Sequence, residues 1–497
     1  MNLRELIPSL PECSVEGTPD REIAALRYDS RQVERGDLFF AWKGAASDGH
    51  RFIADVCLRG AAGVVLEQSQ ADRPDSATFI RVPDARRALA RMAGAFHGFP
   101  ARSLAPVGIT GTNGKTTTAF AIKHLLSEPG RPIGLLGTIR HEIGQTVLSA
   151  SRTTPEGSDL QELLGRIKAA GCVGVVMEVS SHALDQGRVE GIEFAVGVFT
   201  NLTPDHLDYH KTMEEYFAAK RRLFEGSNAA AAAVVNIDDP YGARLAAALH
   251  ADLHRTGTLI TTSADGARTA SLRAEKIHAA PHGTAFDLVF NDQRRAVETP
   301  LIGRFNVANT LSAVGAALAM DRDFDRIASR LHDLPAVPGR LERFGGGDLP
   351  TVVVDYAHTE DAVRKALETL RELQPKRLLA VVGCGGNRDR TKRPRMAAAA
   401  LELADQVYFT ADNPRNETVS AIFDDMRAGV PAGSASRAAW IADRQAAIAR
   451  AIADAAPSDI VCVAGKGHEA TQEVNGVFTP FSDRAVVEEI LHGKGRN

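Results

Sequence analysis

The sequence has few cysteines and no long apolar run. Its 497 residues include only five cysteines, scattered along the chain without a Cys-x-x-Cys pair. An odd number of scattered thiols argues against a disulfide framework and against a zinc site built from cysteine pairs. No stretch approaches the roughly 18 apolar residues of a transmembrane helix, and the N-terminus lacks the apolar core of a signal peptide. We therefore expect a cytoplasmic protein that does not insert into membranes.

Charge of one sign is also scarce. The chain has 58 Lys and Arg against 62 Asp and Glu, a net charge of −4, and its basic residues form no long run. Proteins bind nucleic acids through clustered Lys and Arg that neutralise phosphates, so we expect no nucleic-acid partner. Apolar residues make up 44% of the chain, an ordinary globular proportion, and the length predicts about three domains.

Proline and glycine divide the chain into three blocks. Segments rich in these residues near 97–103 and 334–339 indicate boundaries that give residues 1–102, 103–338 and 339–497. Short apolar runs of the kind that buried strands show predict strands at residues 38–42, 63–66, 106–110, 133–136, 174–179, 195–200, 231–237, 351–355, 377–383, 406–410 and 460–464. Because helical patterns alternate with these runs, the fold class is α/β, with a doubly wound parallel sheet in the second block.

A glycine-rich loop between a predicted strand and a helical pattern is the strongest local signal. Its members are Gly111, Thr112, Asn113, Gly114, Lys115, Thr116 and Thr117. Glycines let successive N–H groups turn towards phosphate oxygens, and the following helix N-terminus adds a positive dipole. Lys115 is expected to reach the β- and γ-phosphates, and Thr116 to place its hydroxyl on Mg²⁺. Ile109 stands where the strict pattern has its first glycine, so the interpretation depends on the strand–loop–helix context.

Three further side chains suggest metal chemistry. Glu178 ends an apolar run, where such sheets bind ligands, and its carboxylate suits Mg²⁺. His206 lies in a polar stretch after a strand; taken alone, it is more simply a structural histidine than a metal ligand. Lys220 falls on the apolar face of a helical pattern at 213–224. Burial there would give a neutral amine able to add CO₂, although a lysine that reaches water at the rim is the simpler interpretation.

In order and spacing, these motifs resemble those of the Mur ligase family. The resemblance rests on residues 111–117, 177–182, 205–210, 218–220, 305–309, 338–342 and 354–359. It implies a smaller N-terminal α/β domain (1–102) for the UDP end of the substrate, a central P-loop domain (103–338) for ATP, and a C-terminal Rossmann-like domain (339–497) for the incoming amino acid. It also implies two Mg²⁺ ions and a CO₂-derived carbamate on Lys220, with Thr116, Glu178, His206 and Lys220 as metal ligands.

The resemblance also implies further site residues. Lys115, Lys220 and His206 would be catalytic. Besides residues 111–117, ATP would contact Asn306, Asn309, Arg340, Asp355 and His358. The UDP-linked substrate would contact Tyr28, Ser30, Ala45, Ala46, Ser47, Thr153, Thr154, Ser180, Gln186 and Arg188. An ordinary surface role remains the alternative for each of these contacts.

An Asp-Asn-Pro-Arg stretch after a predicted strand points to the amino acid that is added. Its members are Asp412, Asn413, Pro414 and Arg415, and it resembles the signature of family members that add meso-diaminopimelate. This amino acid carries a distal carboxylate that L-lysine lacks, and Arg415 offers a planar fork for pairing with it. Arg388 resembles a second carboxylate contact, Glu469 would balance an ammonium group, and Gly465 would offer its backbone. The alternative is a turn with a surface arginine.

The resemblance therefore implies a cytoplasmic, monomeric, ATP-dependent ligase of peptidoglycan precursor synthesis. It would add meso-diaminopimelate to the D-glutamate of UDP-N-acetylmuramoyl-L-alanyl-D-glutamate through an acyl phosphate. One alternative is a sister ligase that adds L-lysine, against which Arg415 argues. A second is a folylpolyglutamate synthase, against which residues 28–31 and 412–415 argue. A nucleotide-hydrolysing switch would explain the phosphate loop but not Lys220.

Overall fold

The computed structural model describes residues 1–44, 47–68, 76–226, 229–251 and 257–494. Its contacts divide the chain into two compact units. The first comprises Met1–Arg273 with Ala308–Ile327, and the second comprises Ala274–Val307 with Ala328–Asn497. The division of the sequence into three blocks stays a prediction. Within the described ranges, no helix is long and apolar enough to cross a membrane.

A five-stranded sheet opens the first unit, in the order β1-β5-β4-β3-β2. Its elements are β1 (Ser14–Glu16), β2 (Leu26–Arg27), β3 (Leu38–Ala41), β4 (Gly63–Leu66) and β5 (Thr78–Arg81), with α1 (Leu3–Leu6), α2 (Ile53–Leu58) and α3 (Ala85–Phe96). Successive side chains of a strand point to opposite faces, so Leu38 and Phe40 enter one core cluster and Phe39 and Ala41 another. The predicted strands at 38–42 and 63–66 are confirmed.

The second sheet of this unit contains every strand predicted for the middle of the chain. The strands of this sheet that lie wholly within the first unit are β6 (Val107–Thr110), β7 (Ile133–Leu136), β8 (Arg140–Ile143), β9 (Thr146–Ser149), β10 (Gly174–Glu178), β11 (Val196–Phe199), β12 (Ala232–Asn236) and β13 (Thr258–Ser263). Its helices are α4 (Lys115–Leu126), α5 (Gly157–Ala169), α6 (Ser181–Asp185), α7 (Leu207–His210), α8 (Met213–Arg221) and α9 (Pro240–Ala251). Strands β13, β12, β11, β6, β10 and β7 are neighbours in that order and parallel. Their carboxyl ends therefore meet at one edge, where such sheets bind ligands.

Three strands and two helices follow in the chain. They are β14 (Leu272–Ala280), β15 (Gly283–Phe290), β16 (Gln293–Thr299), α10 (Arg304–Ala319) and α11 (Phe324–Ser329). Strands β15 and β16 form an antiparallel hairpin. Residues of both units occur in β14, α10 and α11.

A six-stranded sheet in the order β17-β18-β22-β19-β20-β21 forms the body of the second unit. The strands of this sheet are β17 (Glu342–Gly345), β18 (Thr351–Asp355), β19 (Leu378–Cys384), β20 (Gln406–Ala411), β21 (Ala438–Trp440) and β22 (Ile460–Ala464), and a separate hairpin consists of β23 (Thr471–Val474) and β24 (Val477–Pro480). The helices are α12 (Glu360–Glu372), α13 (Lys392–Leu403), α14 (Val419–Arg427), α15 (Arg444–Asp454) and α16 (Asp483–Lys494). All strands of the six-stranded sheet except β17 are parallel. The four predicted strands are confirmed, whereas the separate β23–β24 hairpin was not predicted.

Polar side chains before several helices explain where those helices begin. Each of these residues accepts a hydrogen bond from the N–H three positions further on: Asp84, Thr212, Thr359, Thr418 and Asp443. Such caps satisfy backbone donors that have no partner inside the helix.

A buried ion pair joins the ends of two strands of the six-stranded sheet. Arg444 and Asp483, the first residues of α15 and α16, are both fully buried. The Arg444 guanidinium donates to both carboxylate oxygens of Asp483, each at 2.7 Å, and to the carbonyls of Ala411 at 3.1 Å and Ala464 at 3.0 Å. Those carbonyls end β20 and β22, so one side chain ties the strands on either side of β19.

We expect Arg444→Met to lower the free energy of unfolding by about 3–5 kcal/mol, because Asp483 would keep a buried, unpaired charge. The double variant Arg444→Met/Asp483→Leu should recover most of that loss, since no lone charge remains. Urea unfolding measures both. Arg364→Met, which breaks the more exposed pair with Glu402, is the control and should cost about 0–1 kcal/mol. A double variant as unstable as the single one would contradict this account.

Candidate active site

The glycine-rich loop lies between β6 and α4, as predicted. Gly111 has φ 151° and Gly114 φ 85°, backbone conformations that favour glycine. A Cβ at Gly111 would lie 1.9 Å from Thr200 Oγ1, and one at Gly114 would lie 2.2 Å from Asn309 Oδ1. Neither position has room for a side chain. Helix α4 begins at Lys115, so the N–H groups of its first turn are available to a phosphate.

Two lysines meet at one carbonyl of this loop. Lys115 Nζ donates to the carbonyls of Gly111 at 2.9 Å and Thr112 at 2.8 Å, and Lys220 Nζ donates to Gly111 at 2.9 Å. Lys220 is only 1% exposed, so it does not reach water at the rim of its helix. Burial, followed by the nearby charge of Lys115, lowers the pKa of Lys220 well below its usual value. The site therefore holds an amine that is easily neutralised.

A buried carboxylate faces the loop from the neighbouring strand. Glu178, the last residue of β10, accepts hydrogen bonds from Thr116 Oγ1 at 3.0 Å and from the Thr138 N–H and Oγ1 at 2.8 and 3.0 Å. Thr138 Oγ1 also lies 3.0 Å from Thr153 Oγ1. A carboxylate and a hydroxyl this close are ligands of the type that Mg²⁺ takes. Thr138 was not predicted, because a lone threonine after a strand gives no distinctive sequence signal.

His206 packs among other rings and is half exposed. It has φ 52°, its ring centre lies 4.9 Å from that of His182, and its Nε2 lies 3.6 Å from an Asp205 oxygen. Throughout the described residues, no group of three or more His, Cys, Asp or Glu side chains is arranged to hold a metal ion. A metal here would need other oxygen ligands, such as the Thr116 hydroxyl or a carbamate on Lys220.

Four residues expected to contact the UDP-linked substrate form one hydrogen-bonded group. Arg188 donates to the Thr154 carbonyl at 2.9 Å and to Gln186 Oε1 at 2.7 Å, and the Ser180 N–H donates to Thr154 Oγ1 at 3.1 Å. Glu156, which was not predicted, lies 3.2 Å from Arg188 and is buried. It also pairs with Arg86 and Arg152. Three arginines around one carboxylate leave positive charge that suits an acidic substrate.

Aromatic and charged groups surround Tyr28 of the first sheet. Its ring stacks on that of Trp42, with centres 6.1 Å apart, and the Arg86 guanidinium lies 5.0 Å above the Trp42 ring. The Tyr28 hydroxyl donates to Asp159 at 2.9 Å. Burial, then Asp159, raises the pKa of Tyr28. The stacked rings and cation suit a ring-bearing anionic ligand, and Trp42 is a residue that sequence reasoning missed.

The other residues expected near the UDP group make local contacts. The Ser30 carbonyl accepts a hydrogen bond from Arg59. The Ser47 carbonyl accepts a backbone hydrogen bond at 2.9 Å. Ala45 and Ala46 lie outside the described residues.

In the second unit, three residues expected to contact ATP gather at the end of β18. Asp355 accepts two backbone N–H bonds, at 2.8 and 2.9 Å, and its burial raises its pKa. The Arg340 guanidinium lies 4.9 Å above the ring of Tyr356, which is 4.6 Å from that of His358. Asn306, buried on α10, donates to a backbone carbonyl at 2.9 Å. Rings, a cation and a carboxylate together suit the base or ribose of a nucleotide.

Residues predicted to bind the amino acid meet at the ends of β20 and β22. Asn413 Nδ2 donates to Glu469 Oε2 at 2.9 Å. Lys466, fully buried, donates to Asn413 Oδ1 at 2.9 Å and to Glu469 Oε2 at 2.8 Å. A Cβ on Gly465, which has φ 125°, would lie 2.8 Å from Asp412 Oδ2. Lys466 was not predicted, because its burial appears only in the fold.

The side chains of Arg415 and Arg388 both lie beside the turn at Gly385. The Arg415 side chain donates through Nη1 to the Gly386 carbonyl at 2.9 Å and pairs through Nε with Glu473 at 3.0 Å. A Cβ on Gly386 would lie 1.8 Å from the Pro414 carbonyl, so the two loops touch through their backbones. Arg388 follows on the same turn and is exposed. Glu473 belongs to the unpredicted hairpin.

A second buried arginine fixes these two loops. Arg393 of α13 is fully buried and donates to both carboxylate oxygens of Glu417, at 2.9 and 2.8 Å, and to Asp425 at 2.8 Å. It also donates to the Gly385 carbonyl at 3.1 Å. The Arg393 guanidinium, followed by the Asn387 N–H, lowers the pKa of Glu417 to about 2.

Glu417 should stabilise the fold in a pH-dependent way. Its folded-state pKa lies below the ordinary value of 4.5, so its contribution is complete above about pH 4.5 and is lost as the pH falls towards 2. We expect Glu417→Gln to unfold at lower urea concentration than the unmodified protein at neutral pH, with a deficit that shrinks in acid. Glu489→Gln, at an exposed position, is the control and should show no such deficit. A deficit equal at every pH would argue against the pairing.

Models of three domains of one protein family together match most of the chain. They are the Mur ligase family catalytic domain over residues 22–97, the Mur ligase middle domain over 109–317, and the Mur ligase glutamate ligase domain over 339–467. The chain belongs to the Mur ligase family. It is 44% identical over 499 residues to the UDP-N-acetylmuramoyl-L-alanyl-D-glutamate--2,6-diaminopimelate ligase of Solibacter usitatus, covering 100% of this chain and 99% of that protein.

Solved structures of known proteins align with most of this chain. A structure of UDP-N-acetylmuramoyl-L-alanyl-D-glutamate--2,6-diaminopimelate ligase aligns with a TM-score of 0.74 and 33% identity, covering 100% of both chains. The folylpolyglutamate synthase of Mycobacterium tuberculosis, complexed with ADP and AMPPCP, aligns with a TM-score of 0.59 over 77% of this chain and 92% of that one. Its identity is 20%, so this likeness concerns the fold alone. The predicted α/β fold class and the family resemblance are confirmed.

Proposed function

We propose that this chain joins the D-glutamate carboxyl group of UDP-N-acetylmuramoyl-L-alanyl-D-glutamate to an amino group of meso-diaminopimelate, converting ATP to ADP and phosphate. The observation that carries the proposal is the charged cluster at the ends of β20 and β22, in a chain whose full-length relatives bear that enzyme's name. Arg415 supplies a cation for a carboxylate, and Glu469 an anion for an ammonium group. An amino acid with two zwitterionic centres needs both signs of charge.

The chemistry requires activation of a carboxylate, which is a poor acyl donor. The substrate carboxylate oxygen attacks the γ-phosphorus of ATP, and the bond to the departing ADP oxygen breaks, leaving an acyl phosphate. The amine then attacks the acyl carbon, loses a proton and expels phosphate, so an amide remains. Lys115 and the N–H groups at the start of α4 stabilise the charge on the transferring phosphoryl group. The arginine-rich group around Thr154 and Arg188 holds the acidic end of the peptide in place.

The residues around Glu178 fit a magnesium site. Glu178 and the Thr116 hydroxyl supply hard oxygen ligands 3.0 Å apart, and we propose His206 and a carbamate on Lys220 for the rest of a two-ion site. Mg²⁺ bound there would neutralise phosphate charge. The carbamate forms when the neutral Nζ of Lys220 attacks CO₂, a nitrogen–carbon bond forms and one amine proton leaves. Complete burial of Lys220 beside Lys115 supports this, because it favours the neutral amine.

The remaining predicted contacts belong to the same proposal. Asn309, which packs on Gly114, would stand beside the nucleotide, and Asn306, Arg340, Asp355 and His358 would contact it as well. Tyr28 and Ser30, with positions 45–47, would contact the UDP group. Because the substrates are UDP- and ATP-derived, we propose a cytoplasmic enzyme. Since one chain supplies residues for every substrate, we propose that it acts as a monomer.

Phosphate release from ATP in the presence of the UDP-linked dipeptide tests the proposed function. We expect release with meso-diaminopimelate and little with L-lysine, because lysine leaves the cationic Arg415 without a carboxylate partner. Release with L-lysine but not with meso-diaminopimelate would support a ligase that adds lysine instead. Release without any amino acid would favour a nucleotide-hydrolysing switch, and activity only with a folate substrate would replace the proposal altogether.

Labelling with ¹³C-bicarbonate tests the proposed carbamate on Lys220. With ¹³C-bicarbonate, the protein should give a carbamate carbon signal that Lys220→Ala lacks, and this variant should lose roughly 100-fold or more in kcat, as when one charge-stabilising group is removed. Lys211→Ala, at an exposed lysine nearby, should keep both signal and rate. An unchanged signal in Lys220→Ala would place the carbamate on another amine.

A further inference from the structure

The β23–β24 hairpin, residues 471–480, forms a sheet of its own but is bonded to the Asp-Asn-Pro-Arg loop. The Glu473 N–H donates to Asn413 Oδ1 at 3.0 Å. The Arg415 N–H donates to the Glu473 carbonyl at 3.0 Å, and the Asn475 N–H donates to the Arg415 carbonyl at 2.8 Å. The hairpin therefore holds Arg415 by both of its backbone polar groups.

The backbone of Arg415 is in a conformation that needs such support. Its φ is 52°, in the left-handed region that residues other than glycine rarely adopt. Strain of this kind persists where surrounding contacts determine it, and it concentrates at functional sites. Because the hairpin supplies those contacts, the direction in which the Arg415 side chain leaves the loop depends on the hairpin.

The side chain of Arg415 is held from two directions as well. Its Nε lies 3.0 Å from a Glu473 carboxylate oxygen, and its Nη1 donates to the Gly386 carbonyl at 2.9 Å. A Cβ on Gly385 would lie 3.0 Å from Nη1, so the guanidinium packs closely against this glycine turn. A guanidinium has about five N–H donors, and these two contacts leave most of the Nη donors for a ligand. Arg415 and Glu473 are each 23% exposed, so a ligand can reach the pair.

Glu469, the other acid near this turn, lies against a lysine rather than against Arg415. Glu469 accepts hydrogen bonds from the buried ammonium of Lys466 at 2.8 Å and from Asn413 at 2.9 Å. Glu473 is thus the carboxylate that lies directly against Arg415. A ligand group arriving there meets one positive and one negative charge side by side.

We propose that Glu473 is a specificity-determining residue of the amino-acid site. It aims the Nη donors of Arg415 at the ligand and makes the site select a zwitterionic α-amino-acid centre. A carboxylate without an amino group is repelled by Glu473, and an ammonium without a carboxylate is repelled by Arg415. Only a centre that carries both groups satisfies both charges, so selection depends on repulsion as much as on attraction. This inference rests on the proposed diaminopimelate ligase function.

Three amino acids separate these cases: meso-diaminopimelate, L-lysine without the distal carboxylate, and 2-aminopimelate without the distal amino group. The unmodified protein is assayed first by phosphate release, and failure with meso-diaminopimelate would overturn the proposed function itself. Given activity, Glu473→Gln keeps a hydrogen-bond acceptor but removes the charge. We expect its preference for diaminopimelate over 2-aminopimelate, measured as a ratio of kcat/KM, to fall about tenfold.

Glu473→Leu removes the acceptor too. It should raise the KM for meso-diaminopimelate about tenfold while the KM values for ATP and the UDP-linked dipeptide stay within error. Glu489→Gln is the matched control and should change none of these values. Arg415→Ala should instead lose the discrimination against L-lysine.

Two outcomes would overturn the role of Glu473. One is an unchanged preference for diaminopimelate over 2-aminopimelate in Glu473→Gln at an unchanged Tm. The other is a parallel rise of all three KM values with a lowered Tm, which indicates a merely structural role. If both variants fold poorly, Glu473→Asp decides, since it keeps the charge. It should keep the preference, and loss of the preference in Glu473→Asp would also overturn the proposal.

Discussion

The parallel pairing of β6 with both β10 and β11 determines where the groups of the central site lie. Parallel strands bring their carboxyl ends to the same edge of a sheet. The glycine-rich loop therefore begins beside Glu178, which ends β10, and beside Thr200, which follows β11. The contact of Thr116 with Glu178 and the lack of space at Gly111 follow from this register. A strand shifted by one residue would turn the carboxylate to the opposite face.

Much of this arrangement could be predicted from the sequence because it depends on local patterns. Continuous apolar runs marked the buried parallel strands, and Gly111, Gly114 and Lys115 marked the loop between one strand and its helix. The edge strands, such as β8 and β9, were not predicted, since their short, partly polar sequences resemble loops. The same is true of the β23–β24 hairpin, whose side chains are mostly exposed. Its position depends on contacts with a loop about 60 residues earlier in the chain, which no local pattern records.

The candidate site could be predicted less completely than the fold. Residue types with a distinctive chemistry in a distinctive place, such as Lys220 and Arg415, could be selected as candidates, and their roles stay predictions. The residues that contact the predicted ones could not, because Thr138, Glu156, Lys466 and Glu473 are common residues whose contacts appear only when distant segments meet. Even for Lys220 the helical pattern alone allowed a side chain that reaches water. Its burial depends on how α8 packs against the loop, and that packing decides its protonation.

Buried charged groups have opposite consequences in the second unit and at the glycine-rich loop of the first unit. In the second unit Arg444, Arg393 and Lys466 are each bonded to carboxylates, and these bonds hold loops in position. A paired buried charge of this kind need not add stability over an apolar replacement, but it determines geometry. At the glycine-rich loop, Lys220 is buried, contacts a carbonyl and lies near the like charge of Lys115, so its ammonium form is disfavoured. The second unit therefore uses paired cations to shape one site, whereas at the glycine-rich loop burial favours the neutral amine of Lys220.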